Sequence, residues 1–176
     1  NLHAEPVLSR YWVEKELENL VLVSPDVGNV KRARVYSQRL GGELAIINKR
    51  RLSGQTVEVG EIIGSVEGKT VLMMDDMIST GGTISEAAKL CKERGAERVF
   101  VGATHAVLCG PAVERLAAAP IDEIVVTDTI PLAARQTEGL ENLRIKSVAN
   151  LIGEAIHRIH NDESVSNLFL KAGDQG

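Results

Sequence analysis

Cysteine and aromatic residues are scarce in this sequence. Two cysteines and an aromatic content of 3% stand among 176 residues. Cys91 and Cys109 are too few for a disulfide framework and lack the paired spacing of a metal site, so we expect a reducing, cytoplasmic environment and two small buried thiols. With so few aromatic rings, Val, Ile, Leu and Ala must fill the core.

A surplus of basic residues and a long apolar run are also lacking. The 20 Lys and Arg residues stand against 24 Asp and Glu residues, a formal charge of −4, which excludes a general attraction to polynucleotides. No apolar run approaches the roughly 18 to 20 residues that span a bilayer, so we expect a protein that is neither membrane-embedded nor secreted. Any anionic ligand must be bound by a local arrangement of residues.

The rest of the composition is that of a globular, soluble protein. Apolar residues make up 44% and charged residues 25% of the chain. A length of 176 residues fits one compact domain with a substantial core. The chain starts at Asn1 without an initiator Met, and we expect it to be a fragment or a processed product.

Short apolar runs alternate with longer amphipathic segments. The runs are apolar at nearly every position, which is typical of strands covered on both faces and joined by crossover helices. We therefore predict an α/β fold, a mostly parallel sheet flanked by helices. The predicted strands are Leu20–Ser24, Leu44–Asn48, Thr70–Met74, Arg98–Ala103 and Glu123–Thr127, and the predicted helices are Pro6–Glu18, Val30–Leu40, Thr83–Arg94, Pro111–Ala118 and Val148–Ile159.

The segment from Val71 to Thr83 is the most informative. A buried strand runs into two acids and a small polar loop, and a helix follows. The two glycines of this loop let the backbone approach an anion, its hydroxyls add donors, and the first amides of the helix supply more. The loop residues are Ser79, Thr80, Gly81, Gly82 and Thr83.

The two acids before the loop need a different partner. Asp75 and Asp76 would repel a phosphate that they faced directly, so we expect at least one of them to accept hydrogen bonds from sugar hydroxyls. An acidic turn followed by an ordinary helix cap is the alternative, but the complete segment favours a ligand. The Gly-Lys-Ser/Thr ending of the nucleoside triphosphatase loop is absent.

This segment resembles the phosphoribosyl diphosphate-binding motif of type I phosphoribosyltransferases and ribose-phosphate diphosphokinases. Further segments resemble the diphosphokinases in order, from Asn1 to Phe169. They are Ser24-Pro25-Asp26 with Gly28 and Lys31 to Arg34, Asn48 to Arg51, Thr104 to Leu108, Gly110 to Arg115, Val126 to Ile130 and Glu163 to Phe169. The resemblance implies one type I phosphoribosyltransferase-like domain, the C-terminal half of a two-domain enzyme.

The resemblance also implies an activity. Such enzymes transfer diphosphate from ATP to ribose 5-phosphate, forming phosphoribosyl diphosphate and AMP for nucleotide biosynthesis. It implies Mg²⁺ as cofactor, ATP and ribose 5-phosphate as partners, and a homo-oligomer. A phosphoribosyltransferase using the same loop, or a nonenzymatic regulatory fragment of the synthetase, are the alternatives.

The implied roles fall on three parts of the chain. Lys49 is the principal catalytic side chain and Arg51 a ribose-phosphate or transition-state contact, both on a mobile hairpin between Lys49 and Gly68. Asp26 is a magnesium ligand. Ribose 5-phosphate is bound by Arg51, Asp75, Asp76, Ser79, Thr80, Gly81, Gly82 and Thr83.

Taken without the family, two of these assignments have simpler explanations. The run from Lys49 to Arg51 is typical of a solvated basic turn, and Asp26 of a turn or helix cap. Two positions also depart from the family pattern: Ser79 stands where Asp is frequent, and Asn29 where Gly is common. We expect Ser79 to retain donor capacity, whereas Asn29 adds bulk near the presumed diphosphate turn.

Overall fold

Parallel pairing of strands dominates the architecture. The computed structural model describes residues 2–52 and 56–169. One sheet has the order β3-β2-β1-β4-β5-β6-β7, in which β2 and β3 are antiparallel and the other neighbours are parallel. The strands are β1 (Leu20–Ser24), β2 (Glu43–Leu52), β3 (Thr56–Ile63), β4 (Thr70–Ile78), β5 (Arg98–Ala106), β6 (Glu123–Thr127) and β7 (Leu143–Lys146).

Helices connect the parallel strands. The α-helices are α1 (Glu5–Glu14), α2 (Val30–Leu40), α3 (Gly82–Glu93), α4 (Ala112–Ala118) and α5 (Ala149–His160), with 3-10 turns at Val27–Asn29, Ala134–Gln136 and Val165–Phe169. Since α2, α3 and α4 each lead from one parallel strand to another, the carboxyl ends of these strands meet at one edge of the sheet. The predicted mostly parallel α/β fold is confirmed.

Element boundaries differ from the prediction where polar residues continue a strand or a turn interrupts a helix. Helix α1 ends before the predicted Glu18, and Glu16 and Asn19 adopt positive φ angles of 49° and 50°. Strand β4 continues past the predicted Met74 because it pairs with β5 as far as Ile78. The acid pair therefore belongs to a strand rather than to the loop.

The edges of the sheet are the two strands outside the five runs predicted as strands, and one of them, β3, belongs to the predicted hairpin. Strand β3 pairs with β2, and β7 pairs with β6. An edge strand has a neighbour on one side, so it needs less apolar sequence than a central strand. In β7, for example, Arg144 and Ile145 are both exposed. The predicted hairpin after Lys49 is confirmed as the β2–β3 pair.

Two hydrophobic cores cover the faces of the sheet. One includes Val71 and Met73 of β4 with Ile84 of α3, and the other includes Leu72 and Met74 of β4. The second core also holds Trp12 of α1, whose ring lies edge-on to Phe100 with centroids 5.7 Å apart. Alternate β4 residues thus anchor the strand to both helical layers. Within residues 2–52 and 56–169, no helix is long and apolar enough to cross a membrane.

A charged cluster fastens α1 to the first residue of β6. Glu123 is 9% exposed and accepts hydrogen bonds from Tyr11 and from Lys15 Nζ, the latter at 2.7 Å. Burial and the contact with Glu123 raise the pKa of Tyr11 to about 12, so the phenol remains a donor. Burial opposes ionisation of Glu123, but the bonds from Lys15 and Tyr11 hold its pKa below the ordinary value.

A tight turn joins β4 to α3. Gly81 is buried and has a φ of 71°. This backbone conformation is energetically unfavourable for any residue that has a side chain. A Cβ atom at Gly81 would lie 3.2 Å from Leu116 Cγ and 3.3 Å from the Ala112 carbonyl oxygen of α4. The turn is therefore pressed against α4, and both conformation and space require glycine.

Replacement of Glu123 by Gln should make stability less dependent on pH. Because the folded-state pKa of Glu123 is depressed, its stabilising contribution is complete above the ordinary value of 4.5 and is lost as the pH falls through the lower folded value. At pH 7 we expect E123Q to lose about 2 kcal/mol of unfolding free energy. Urea unfolding between pH 3 and pH 7 measures this, with the exposed Glu14→Gln as control. Parallel pH curves for E123Q and the unchanged chain would contradict the assignment.

Replacement of Gly81 by Ala should destabilise the fold more than replacement of Gly110. Gly110 has a φ of 56°, but a Cβ atom added there would meet nothing within 4 Å, so G110A reports the conformational cost alone, about 1 kcal/mol. We expect G81A to cost about 2 to 3 kcal/mol because contact with α4 is added. Denaturant unfolding of both variants gives the comparison, and equal losses would show that α4 does not restrict the turn.

Candidate functional site

Two adjacent acids form the centre of the carboxyl edge. Asp75 lies opposite Ala103 in the β4–β5 register and is 19% exposed through its side chain, whereas the side chain of Asp76 is 58% exposed. Exposure rises towards the end of the strand, where Asp76 and Met77 are both exposed. At the acid pair, β4 is paired with β5, because its pairing with β1 ends at Leu72.

Arg32 of α2 bridges the two acids. Its Nη1 atom lies 2.9 Å from Asp75 Oδ1, and its Nη2 atom lies 3.1 Å from Asp76 Oδ2. The Asn29 side chain completes the arrangement: Nδ2 donates to Asp75 Oδ1 at 3.0 Å, and Oδ1 accepts a hydrogen bond from Arg32. Sequence reasoning did not find this network. A possible signal was the three-residue spacing of Asn29 and Arg32, which brings side chains together on a helical turn.

The two carboxyl groups have unequal proton affinities. Burial is the main cause that raises the pKa of Asp75, and the neighbouring Asp76 adds to it, while Asn29 and Arg32 oppose it. Burial acts in the same direction on Asp76, but its hydrogen bond with Asp75 and the Arg32 guanidinium hold its pKa below the ordinary value. Asp76 is thus the more exposed and the more readily ionised acceptor.

The loop after β4 presents hydroxyls and helix amides. Ser79, Thr80 and Thr83 are exposed, as the sequence predicts for donors to a ligand. The first amides of α3, which begins at Gly82, have no acceptor within the helix and carry the positive end of its dipole. These groups together suit a phosphate monoester.

Residues from α4 and from the loop after β5 support this turn. Arg115 Nη1 donates to the Thr80 carbonyl at 3.3 Å, and Ser79 Oγ lies 3.2 Å from Cys109 Sγ. The prediction of two buried thiols is correct for Cys91 and wrong for Cys109, which is exposed. The reason is that Cys109 follows the end of β5 and bonds through its amide to the Ser79 carbonyl, at the surface of the loop.

A cleft of about 520 Å³ lies beside the acid pair. Arg32, Asp75, Asp76 and His105 are among its lining residues. His105 Nδ1 lies 2.9 Å from Thr129 Oγ1, a contact between the ends of β5 and β6. The residues from Ser79 to Thr83 follow the acid pair along the chain but do not line this cleft.

Asp26 lies just after β1 at the same edge. It is exposed, and its Oδ1 atom accepts a hydrogen bond from the Asn29 amide at 2.9 Å, which caps the 3-10 turn. The capping role anticipated for an isolated Asp26 is therefore present. In the described part of the chain, no group of three or more His, Cys, Asp or Glu residues could hold a metal ion.

Lys49 and Arg51 lie on the part of β2 that continues beyond its pairing with β1. That pairing ends with Ser24 opposite Ile46, whereas Lys49 pairs with Gly60 of β3. At a rise of about 3.3 Å per residue, the Lys49 backbone is roughly 10 Å beyond the end of β1. The side chains of Lys49 and Arg51 fall outside the described structure, so their roles remain predictions.

Proteins with similar sequences are ribose-phosphate pyrophosphokinases. The family model for the phosphoribosyl synthetase-associated domain matches residues 55–170. A ribose-phosphate pyrophosphokinase of Rhodopirellula baltica is 51% identical over 172 residues, which cover 96% of this chain and 54% of that protein. Another from a Nostoc species is 48% identical over 170 residues, covering 96% of this chain and 51% of that protein.

A solved structure has the same fold. The crystal structure of phosphoribosylpyrophosphate synthetase from Mycobacterium smegmatis superimposes with a TM-score of 0.82 at 37% identity, covering 90% of this chain and 51% of that chain. This chain therefore spans about half the length of the relatives that it matches. The extent of the family match, together with the glycine turn and acid pair at the carboxyl edge, places the chain in the phosphoribosyl synthetase-associated domain family.

Proposed function

We propose that this chain forms the ribose 5-phosphate site of a ribose-phosphate diphosphokinase. The observation that carries the proposal is the continuity of the acid pair, the hydroxyl-rich turn and the start of α3 at one edge of the sheet. The pyrophosphokinase names of the similar proteins support this function over a phosphoribosyltransferase or a nonenzymatic fragment. The product is phosphoribosyl diphosphate, a precursor in nucleotide biosynthesis.

The proposed binding mode separates two kinds of recognition. The terminal phosphate of the sugar accepts hydrogen bonds from Ser79, Thr80, Thr83 and the amides at the start of α3. The ring hydroxyls donate to the acid pair, with the more exposed Asp76 best able to accept. Fixing both ends of the sugar orients its anomeric hydroxyl, which lowers the entropic cost of reaction.

In the proposed reaction, the anomeric oxygen attacks the β-phosphorus of ATP. A bond forms between that oxygen and phosphorus, the bond from the β-phosphorus to the oxygen of the α-phosphate breaks, and AMP leaves. The hydroxyl proton passes to solvent or to a nearby base. Lys49 and Arg51 are proposed to offset the negative charge that develops on the transferred group.

At this edge of the sheet, Mg²⁺ would be coordinated jointly by a protein carboxylate and by the substrate phosphates, and not by protein groups alone. Magnesium is commonly bound by one or two carboxylates, with the remaining positions filled by substrate phosphates and water. Asp26 offers one exposed carboxylate at the end of β1. When bound, the ion would neutralise charge on the diphosphate, and Asp26 would hold it near the turn after β1.

We also propose a homo-oligomeric, cytoplasmic enzyme. Helix α5 buries Ala155, but Ile152, Ile156 and Ile159 are 44%, 63% and 65% exposed. These isoleucines repeat at helical spacing, so they form an apolar face that supports subunit contact.

Binding of ribose 5-phosphate tests the proposed site. Isothermal titration calorimetry on this chain should detect binding, and Thr80→Val should weaken it roughly tenfold because one hydrogen bond to a charged phosphate is lost. Thr137→Val is the matched control, since the Thr137 hydroxyl donates to Ala134 within its own turn. No binding by the folded, unchanged chain would refute the site.

The two enzyme classes are separated by their products. The protein encoded by the complete reading frame that contains this sequence should form AMP from ATP and ribose 5-phosphate. Release of diphosphate that depends on an added nitrogenous base, without AMP formation, would instead identify a phosphoribosyltransferase.

Replacement of Asp26 by Asn should separate capping from magnesium binding. Asn caps helical turns about as well as Asp, so D26N should change the unfolding free energy by less than about 0.5 kcal/mol, whereas D26A should cost about 1 kcal/mol. We expect D26N to raise the Mg²⁺ concentration for half-maximal AMP formation by about tenfold in the complete protein. The exposed Glu138→Gln controls for loss of one charge, and an unchanged Mg²⁺ requirement in D26N would contradict the assignment.

A further inference from the structure

The proposed site has an electrostatic conflict within it. Asp75 and Asp76 carry negative charge immediately before a turn that is proposed to bind a dianionic phosphate. Like charges this close in sequence oppose binding unless a cation offsets them. The turn from Ser79 to Thr83 contains no basic residue.

Arg32 supplies the compensating charge from another element. It lies on α2, 43 residues from Asp75 along the chain, and its guanidinium contacts both acids with different nitrogen atoms. The planar fork of arginine suits a bridge between two carboxylates, whereas the point charge of lysine does not. Because the Arg32 side chain is 32% exposed, part of its charge also reaches the neighbouring cleft.

Asn29 holds this bridge in place. It is 9% exposed, and its side-chain amide donates both to Asp75 Oδ1 and, at 3.4 Å, to the Met74 carbonyl. Its carbonyl oxygen accepts from the same Arg32 nitrogen that contacts Asp75. A glycine, which is common at this position in the resembling family, has no atoms that could make these contacts.

We infer that Arg32 and Asn29 are positioning residues of the sugar-phosphate site: Arg32 offsets the charge of the acid pair, and Asn29 holds its guanidinium in the bridging orientation. This inference rests on the proposed function. Its consequence is that these residues, which are not expected to contact the phosphate, increase the affinity for a charged sugar. The Asn29 side chain, which is larger than the glycine common at this position in the resembling family, thus contributes to the proposed sugar-binding site.

The salt dependence of ribose 5-phosphate binding tests the role of Arg32. By calorimetry in about 20 mM salt, Arg32→Gln should weaken binding roughly tenfold, and in about 500 mM salt the difference should shrink to about threefold because exposed charges are screened. Arg34→Gln removes the same charge from an exposed position of α2 and should stay within about twofold of the unchanged chain. Arg32→Lys should recover part of the low-salt affinity.

The role of Asn29 is tested by coupling. Asn29→Gly alone should weaken binding about threefold, and it should have almost no effect when Arg32 is already Gln, because its proposed action passes through the guanidinium. Unfolding curves of each variant establish that the protein is folded at the temperature of the titration. A core-folding defect would instead lower affinity equally at both salt concentrations.

Three results would overturn the inference. They are an R32Q affinity equal to that of the unchanged chain, a loss that is the same at both salt concentrations, and an Asn29→Gly effect that is fully additive with R32Q. If the unchanged chain fails to bind ribose 5-phosphate, the proposed function fails and the inference fails with it. If it binds but the variants do not behave as described, the inference alone fails.

Discussion

Pairing of β4 with β5 beyond the buried core is the constraint on which the candidate site depends. The register keeps one offset from Thr70 opposite Arg98 to Ile78 opposite Ala106, with pairs at Asp75 and Met77 on both sides of Asp76. The polar residues at the end of β4 therefore stay in the strand beside β5 after the pairing with β1 has ended at Leu72. Two acids that would otherwise belong to a loop thus lie in a strand that leads directly into the turn, an arrangement that the proposed recognition of both ends of a sugar requires.

The sequence alone predicted the parts of the fold that depend on local pattern. Strands inside the sheet such as β1 and β6 have apolar runs because both faces are covered, and their predicted bounds agree with the structure. The edge strand β7 was not predicted, and β3 was predicted only as part of a hairpin, since a strand with one neighbour needs less apolar sequence. The end of β4 was misplaced for a related reason: Asp75 and Asp76 are poor strand formers, and only pairing with β5 keeps them in the sheet.

The candidate site likewise contains some residues that the sequence could suggest and others that only the structure reveals. The turn residues Thr80, Gly81 and Gly82 could be proposed as a phosphate site from the sequence, because hydroxyl donors and glycines occur together in one short segment. The bridge from Arg32 could not, since it joins residues 43 positions apart and depends on how α2 lies across the sheet. The exposure of Cys109 is likewise set by a contact with the turn and not by residue type. Contacts between segments that are distant in sequence could not be predicted from composition and spacing.

The β2–β3 hairpin is the part of the sheet that carries Lys49, the cation of the proposed reaction. Strand β2 is held by β1 as far as Ile46, and beyond that point its described partner strand is β3. The register of the hairpin shifts between Arg50 and Leu52, an irregularity of the kind that bends a strand. Because β1 and β4 are parallel neighbours, this arm extends past the same edge that carries the acid pair. The sheet would thus hold the proposed sugar site in place, while the part of β2 beyond its pairing with β1 carries the proposed catalytic Lys49.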